Sequence, residues 1–307
     1  MPSIQSHFLR FVLKHWVAPG FDHNSPLAQK RALLEEMGRQ VRILPNTSVR
    51  TVCADGVPAE WITAAGAAED RVILYLHGGA YNMGSCNTHR ELVTRLSIAS
   101  GASVLLLDYR LAPEHPFPAA IEDSVAAYQW LLNVGIMPYN IVIAGDSAGG
   151  GLTISTMLYL RDHGLPMPSA GICLSPWADL DFTGESIYTK AKADPWLSAN
   201  WLKPMADRYI GQHGPCHPLI SPVYADLRDL PPLLIHVGED EILLSDAVRL
   251  ANQARDAGVN VSLDIWQKMW HVWHSFAQHL PEGRRAIDEI GRFIQEHVGQ
   301  PAELVFA

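Results

Sequence analysis

Short apolar runs alternate with longer amphipathic stretches along this 307-residue chain, from about residue 48 onward. Six near-continuously apolar runs predict buried strands, at 71–76, 103–109, 140–144, 170–174, 233–237 and 262–266. Apolar residues at helical spacing predict five helices, at 87–100, 118–133, 148–163, 244–258 and 284–298. Strands that alternate with helices in this way indicate a largely parallel sheet with helices on both faces, which is an α/β fold.

Two further features complete the predicted architecture. Weaker strands at 49–54 and 58–63 flank Asp55-Gly56, a dipeptide that favours a tight hairpin turn. The first 45 residues and the stretch 180–218 do not fit the alternation, and both are expected to fold over the carboxyl edge of the sheet as a lid. With no internal repeat or low-complexity linker, residues 1–307 are expected to form a single domain.

Composition excludes several classes of function. The net charge of -9 and the absence of a Lys/Arg cluster argue against a nucleic-acid partner. No apolar run reaches the roughly 18 to 20 residues that a membrane-spanning helix needs. The apolar segment 8–18 is interrupted by Arg10, Lys14 and His15, which favours an amphipathic helix over a signal peptide.

The four cysteines are far apart and form no CxxC pair. This spacing fits reduced thiols in a cytoplasmic protein better than a disulfide framework.

Ser147 is the candidate nucleophile. It lies in Gly145-Asp-Ser-Ala-Gly149, between a predicted strand and a predicted helix. A nucleophile elbow needs this context, because the serine occupies a sharp turn and the flanking glycines let strand and helix approach closely. The start of the helix would offer the amide of Ala148 to a developing oxyanion.

An oxyanion loop is predicted at His77-Gly-Gly-Ala80, directly after the strand 71–76. Glycines allow backbone amides to reach a substrate oxygen, so Gly78 and Gly79 are the expected donors beside Ala148. His77 comes too early in the chain to be the base and is expected to orient the loop.

The base and its orienting acid follow the last strands, because the triad of this fold runs serine, acid, histidine along the chain. His271 and His274 both qualify, and His271 is preferred since it comes sooner after the strand. The loop after 233–237 offers several carboxylates, and spacing alone does not choose between Asp240, Glu241 and their neighbours.

Four motifs together resemble the bacterial hormone-sensitive-lipase family of α/β-hydrolase esterases over roughly residues 45 to 300. They are His77-Gly-Gly-Ala80, the stretch 108–119 with Tyr-Arg-Leu-Ala-Pro-Glu, Gly145-Asp-Ser-Ala-Gly-Gly150 and Met269-Trp-His271. The resemblance implies an α/β-hydrolase fold with a mostly parallel eight-stranded sheet and a helical cap. It is nearest to the branch of acetyl hydrolases and monoterpene lactone hydrolases.

The resemblance also assigns residues. It places Glu241 at the acid position, where many members have Asp-Pro-Leu and this chain has Glu241-Ile-Leu, with Asp240 as the alternative. Ala80 replaces a third glycine of the oxyanion loop. Trp177, Trp196 and Trp201 become candidates for an apolar substrate pocket, although tryptophans at such spacing also serve as plain packing.

The predicted function is hydrolysis of short to medium acyl esters by a serine carboxylesterase, with an ester and water as the partners and with no cofactor or metal. Lactone or amide hydrolysis by the same triad is the alternative, as is a ligand-binding protein on the same fold; the presence of His271 argues against the last. The resemblance also allows a homodimer through the last strand or the terminal helix.

Overall fold

A computed structural model describes residues 2–21, 25–41 and 43–299. The residues outside this description are 1, 22–24, 42 and 300–307. All of them belong to the predicted single domain, and residues 1, 22–24 and 42 also belong to the predicted cap. Eight strands form one sheet: β1 Thr47–Ala54, β2 Val57–Ala64, β3 Ala68–Leu76, β4 Ala102–Leu107, β5 Ile141–Asp146, β6 Ala170–Leu174, β7 Leu233–Gly238 and β8 Val261–Trp266.

The strand order is β1-β2-β4-β3-β5-β6-β7-β8. Strands β3 to β8 run parallel, and β1 and β2 are antiparallel additions at one edge. Asp55 and Gly56 join β1 to β2 with positive φ angles of 50° and 88°, as a two-residue hairpin turn requires. The mostly parallel eight-stranded sheet and the hairpin are therefore confirmed.

Strand β8 departs from the prediction of a buried apolar run. Within the described residues it pairs only with β7 and forms the edge of the sheet, and its residues are half-buried or exposed, none of them buried. An edge strand has a neighbour on one side only, so it needs fewer apolar side chains than the central strands.

Five helices cover both faces of the sheet: α3 Cys86–Ser100, α4 Ala119–Asn133, α5 Ala148–Asp162 and α8 Leu244–Asp256 lie between strands, and α9 Pro281–His297 follows β8. Helices α3 and α9 bury one face of the sheet, and α4, α5 and α8 bury the other. This arrangement places the carboxyl ends of β3, β5, β6 and β7 at one edge, where functional residues of open α/β sheets collect.

The two segments outside the alternation contain helices and no strand of the sheet, and the first is the more helical of the two. The first contains α1 Ile4–Val12, a π-helix Leu13–Val17, a 3-10 turn Ala18–Phe21 and α2 Leu27–Gln40; the second contains α6 Ser186–Thr189 and α7 Ala199–Ile210. The ring of Phe21 lies 5.3 Å from that of Trp196 and 6.4 Å from that of Trp201, so the segments meet each other. None of the helices in the described ranges is long and apolar enough to cross a membrane.

Candidate active site

Ser147 lies in the tight turn between β5 and α5. Its φ of 54° and ψ of -120° belong to a strained conformation that non-glycine residues rarely adopt. Added Cβ atoms on Gly145 and Gly149 would collide with the backbone of Gly149 and Leu76 respectively. The glycines predicted for a nucleophile elbow are thus required by close backbone approach.

A cavity of about 280 Å³ opens beside this turn, and both Ser147 and His271 line it. Among the described residues no hydrogen bond joins the Ser147 hydroxyl to His271; catalytic contacts of this kind often form only when substrate binds. Apolar side chains from the two cap segments also line the cavity: Phe21, Leu34, Met37, Trp196, Leu197 and Trp201.

The Glu241 carboxylate holds His271 in place. Its Oε2 lies 3.0 Å from His271 Nδ1, and its Oε1 accepts hydrogen bonds from the Ser175 hydroxyl at 2.7 Å and from the Gly238 amide at 2.6 Å. Glu241 is fully buried and His271 is 5% exposed. An imidazole so bonded through Nδ1 presents Nε2 for proton transfer.

Sequence reasoning missed Ser175, which also accepts a hydrogen bond from the Val272 amide next to His271. Its position gave a usable signal, because it directly follows β6 at the carboxyl edge of the sheet.

The two alternative residues lie in other environments. Asp240 turns away from the imidazoles and forms an ion pair with Arg10, whose Nη2 is 2.9 Å from Asp240 Oδ2. His274 is fully buried, and its Nε2 lies 3.2 Å from Nδ1 of His236. Burial and the neighbouring His236 hold the pKa of His274 well below its ordinary range, and His274 does not line the cavity.

The oxyanion loop differs from the prediction at one residue. The Gly78 amide donates to Asp146 Oδ1 at 3.1 Å, so this donor is already bonded within the protein. Gly79 and Ala80 line the cavity, and in the described part of the chain their amides have no acceptor. Ala80 adopts a φ of 54°, so the alanine does turn as a third glycine would. The candidate amide donors to an oxyanion in this loop are therefore Gly79 and Ala80, and Gly78 is no longer one of them.

His77 has the structural role expected of it. Its Nδ1 lies 2.8 Å from the Gly78 carbonyl, and its ring stacks on Tyr109 at 4.3 Å. Burial and the nearby His89 lower the pKa of His77 to about 3, so the ring is neutral at physiological pH. Such a buried neutral ring fixes the loop and is unsuited to be the base.

The three tryptophans do not share one site. Trp196 and Trp201 line the cavity, but Trp177 is fully buried outside it. Its ring packs 6.2 Å from Tyr81 and 6.0 Å from Phe182, and its amide donates to the Ser147 carbonyl at 2.9 Å. This corrects the assignment of Trp177 to the pocket: the residue supports the turn of Ser147 from behind.

Asp194 links the second cap segment to the loop of Glu241, a contact that the sequence did not reveal. Its Oδ1 accepts from the amides of Trp196 and Leu197, both at 2.9 Å, and its Oδ2 accepts from the Ile242 amide at 3.0 Å. Burial raises the pKa of Asp194 from 3.8 to about 6, against the opposing effect of these hydrogen bonds.

This raised pKa predicts a pH-dependent stability. Between the unfolded and folded pKa values the folded state keeps a proton that the unfolded state has released, so stability is full below about pH 4 and is lost as pH rises through 6. The free energy of unfolding of the wild type, relative to that of non-titrating Asp194→Asn, should fall by about 3 kcal/mol over this interval. Denaturant unfolding of both proteins from pH 4 to 7 measures it, and a flat difference would contradict the assignment.

One group of potential metal ligands lies outside the cavity. Among the described residues, His236, Asp264 and Glu289 bring ligand atoms within 4.8 Å of one another near the β8 edge. His236 Nε2 lies 3.5 Å from Asp264 Oδ2.

Comparisons with known proteins agree with this geometry. Residues 73–275 match a protein family whose members have the α/β-hydrolase fold. An acetyl-hydrolase of Streptomyces hygroscopicus is 48% identical over 242 residues, which are 79% of this chain and 81% of the relative.

Solved structures are similar over nearly the whole chain. The crystal structure of EstE5 soaked with p-nitrophenyl butyrate has a TM-score of 0.92 and 46% identity, covering 96% of this chain and 99% of the other. An esterase from the bacterial hormone-sensitive lipase family has a TM-score of 0.93 and 45% identity, covering 97% of this chain and 100% of the other.

Proposed function

Because the chain belongs to the bacterial hormone-sensitive-lipase family of α/β-hydrolase esterases, we propose that Ser147, His271 and Glu241 are the triad with which it hydrolyses carboxylic esters. The family and its esterase relatives make the chain a carboxylic ester hydrolase. The observation that carries the triad is the 3.0 Å contact between Glu241 and His271 beside a cavity that Ser147 also lines.

In the proposed mechanism His271 takes the proton of the Ser147 hydroxyl as its oxygen attacks the ester carbonyl. Collapse of the tetrahedral intermediate expels the alcohol, which receives that proton, and leaves an acyl-enzyme. Water then attacks the acyl carbon with the same histidine as base, and His271 returns the proton to the Ser147 oxygen as the acid departs. Glu241 keeps the imidazole in the required tautomer and stabilises its protonated form.

We propose that the backbone amides of Gly79, Ala80 and Ala148 donate hydrogen bonds to the oxyanion of the tetrahedral intermediate. Ala148 is the first residue of α5, so its amide has no partner within the helix, and the helix dipole favours negative charge there. The bond from Gly78 to Asp146 argues against Gly78, which the sequence had suggested.

The proposed substrates are esters with short to medium acyl chains. The two cap segments, 1–45 and 180–218, supply most of the apolar wall of the cavity, including Trp196 and Trp201. A pocket of about 280 Å³ holds a small apolar group together with the ester but limits longer chains.

A series of p-nitrophenyl esters from acetate to palmitate tests this range. We expect kcat/KM to peak among the short to medium chains and to fall for the longest, because the cavity walls exclude them. Parallel assays with a lactone and with a matched anilide compare the alternative bonds. A maximum at palmitate would refute the size argument, and turnover of the lactone or anilide alone would refute open-chain esters as substrates.

Glu241 and Asp240 are adjacent and make a matched pair for testing the acid. Glu241→Gln should lower kcat by roughly 10³- to 10⁴-fold, because an amide cannot stabilise the imidazolium and can favour the wrong tautomer. Asp240→Asn breaks only the contacts of a partly exposed ion pair, worth about 0–1 kcal/mol in stability, and should leave kcat nearly unchanged. If the two variants lost kcat to the same extent, the assignment of Glu241 as the triad acid would be contradicted.

We further propose a homodimer that uses the outer edge of β8, where Ile265 is exposed and the strand pairs only with β7. A monomer in size-exclusion chromatography would contradict the proposed homodimer.

A cytoplasmic location is proposed because all four cysteines are free thiols.

A further inference from the structure

The N-terminal helix carries large apolar side chains that face away from the rest of the protein. Ile4 is 86% exposed, Phe8 64%, Phe11 54% and Trp16 74%. Other exposed large apolar residues in the described ranges are scattered between residues 41 and 265. Four such side chains within thirteen residues concentrate exposed apolar surface on one segment, and a concentration of this kind marks an interaction surface.

The backbone brings three of these four residues onto one face. In α1, positions 4, 8 and 11 follow the i, i+4, i+7 spacing of a single helical face. The segment Leu13–Val17 is a π-helix, and its i→i+5 bond runs from the Ala18 amide to the Leu13 carbonyl. The ring that packs against Phe11 is that of His15, at 4.5 Å between centroids, and Trp16 is the next residue and is strongly exposed.

The opposite side of the same segment is anchored. Leu13 is 1% exposed and packs, with Val17, in a cluster that contains Trp270 and Trp273. Arg10 donates to the Ala193 carbonyl and to Asp240. The exposed row is therefore held on a fixed element rather than on a loose tail.

The charged residues of this segment itself are basic, in contrast to the net charge of -9 for the whole chain, and because Arg10 is paired with Asp240 the exposed cation of the segment is Lys14. Residues 2–21 include Arg10 and Lys14 and contain no Asp or Glu. Lys14 is exposed beside Trp16, and Lys192 is exposed next to Ala193, whose carbonyl Arg10 contacts. Ile4, Phe8, Phe11, Lys14 and Trp16 are called the N-terminal face below.

We propose that the N-terminal face docks onto a lipid surface that carries anionic headgroups. An amphipathic segment with Phe and Trp on its outer face and nearby basic residues binds such surfaces through apolar burial and attraction to acidic lipids. The aliphatic stem of Lys14 can lie along the apolar layer while its ammonium group stays at the headgroups. A symmetric contact between two copies would instead bring like charges together.

The same segment continues into the site. Beyond Trp16 the chain passes through Val17 to Phe21, which lines the cavity of Ser147. Docking would thus bring the cavity close to esters dissolved in the lipid. The inference goes beyond ester hydrolysis and does not depend on the identity of the triad, because it concerns binding alone.

Vesicle flotation tests the apolar part. We expect the full chain to float with vesicles of phosphatidylcholine and phosphatidylglycerol, and Phe8→Ser/Phe11→Ser/Trp16→Ser to bind about tenfold more weakly or worse. The matched control, Ile98→Ser/Val134→Ser/Met137→Ser, removes three exposed apolar side chains elsewhere and should float like the wild type. All three proteins should hydrolyse dissolved p-nitrophenyl butyrate at equal rates.

Charge is tested with the same vesicles. Lys14→Glu should weaken flotation severalfold, whereas Arg50→Glu, the same charge change on exposed β1, should not. Added salt or pure phosphatidylcholine should also weaken it.

Three results would each overturn the proposal. They are no flotation of the wild type, equal flotation of the triple variant and wild type, and a dimer without flotation that the triple variant abolishes. These outcomes are separable from failure of the triad, which would appear as lost esterase activity with flotation intact.

Discussion

Ser147→Ala should lower kcat for p-nitrophenyl butyrate by roughly 10⁴- to 10⁶-fold. The hydroxyl oxygen is the only atom of this side chain that can form the acyl-enzyme, and alanine removes it without adding volume. Backbone strain at φ 54° remains, since alanine meets the same restriction as serine there. A stopped assay with enzyme in excess measures the residual rate, and far-UV circular dichroism checks that the fold is intact.

Ser155→Ala is the matched control for this variant. Ser155 is fully buried on α5, and its hydroxyl donates to the Gly151 carbonyl one turn earlier, so it has no route to substrate. Its loss should leave kcat unchanged and cost about 1 kcal/mol in the free energy of unfolding. If Ser147→Ala kept a substantial part of the wild-type rate, the serine mechanism would be excluded.

His271→Ala should cost as much as loss of the nucleophile, again roughly 10⁴- to 10⁶-fold in kcat, because serine and base act as a unit. The imidazole is held through Nδ1 by Glu241 at 3.0 Å, and among the described residues no other histidine contacts Glu241. Its loss should remove the burst of p-nitrophenol that marks acyl-enzyme formation. Burst kinetics with p-nitrophenyl butyrate therefore measure the expected effect directly.

His274→Gln is the corresponding control, three residues along the chain. His274 contacts His236 and packs 4.0 Å from the Trp273 ring, so its replacement should lower thermal stability while most of the turnover remains. The reverse order of the two kcat losses would assign the base to His274.

The sequence alone predicted the features that depend on local pattern. Alternating apolar runs and helical spacing determined the strands and helices, because each period matches one backbone geometry. Gly145-Asp-Ser-Ala-Gly149 identified the elbow, since a turn this tight excludes Cβ atoms at the flanking positions. Asp55-Gly56 specified the hairpin for a similar reason.

Only the tertiary structure distinguished between neighbours. Glu241 faces His271 while Asp240 faces Arg10, and the amide of Gly78 is bonded to Asp146 while that of Ala80 has no acceptor in the described chain. Sequence spacing also did not show that Trp177 lies outside the cavity, where it is buried behind Ser147.

The reason is physical. Adjacent loop residues have the same sequence context but point in different directions, and the partners that fix those directions come from distant parts of the chain. Asp194 and Ser175 belong to this class: 48 residues separate Asp194 from Ile242, and 66 separate Ser175 from Glu241. Local periodicity thus determined the scaffold of this protein, and long-range hydrogen bonds and burial decided which side chains come together in its candidate site.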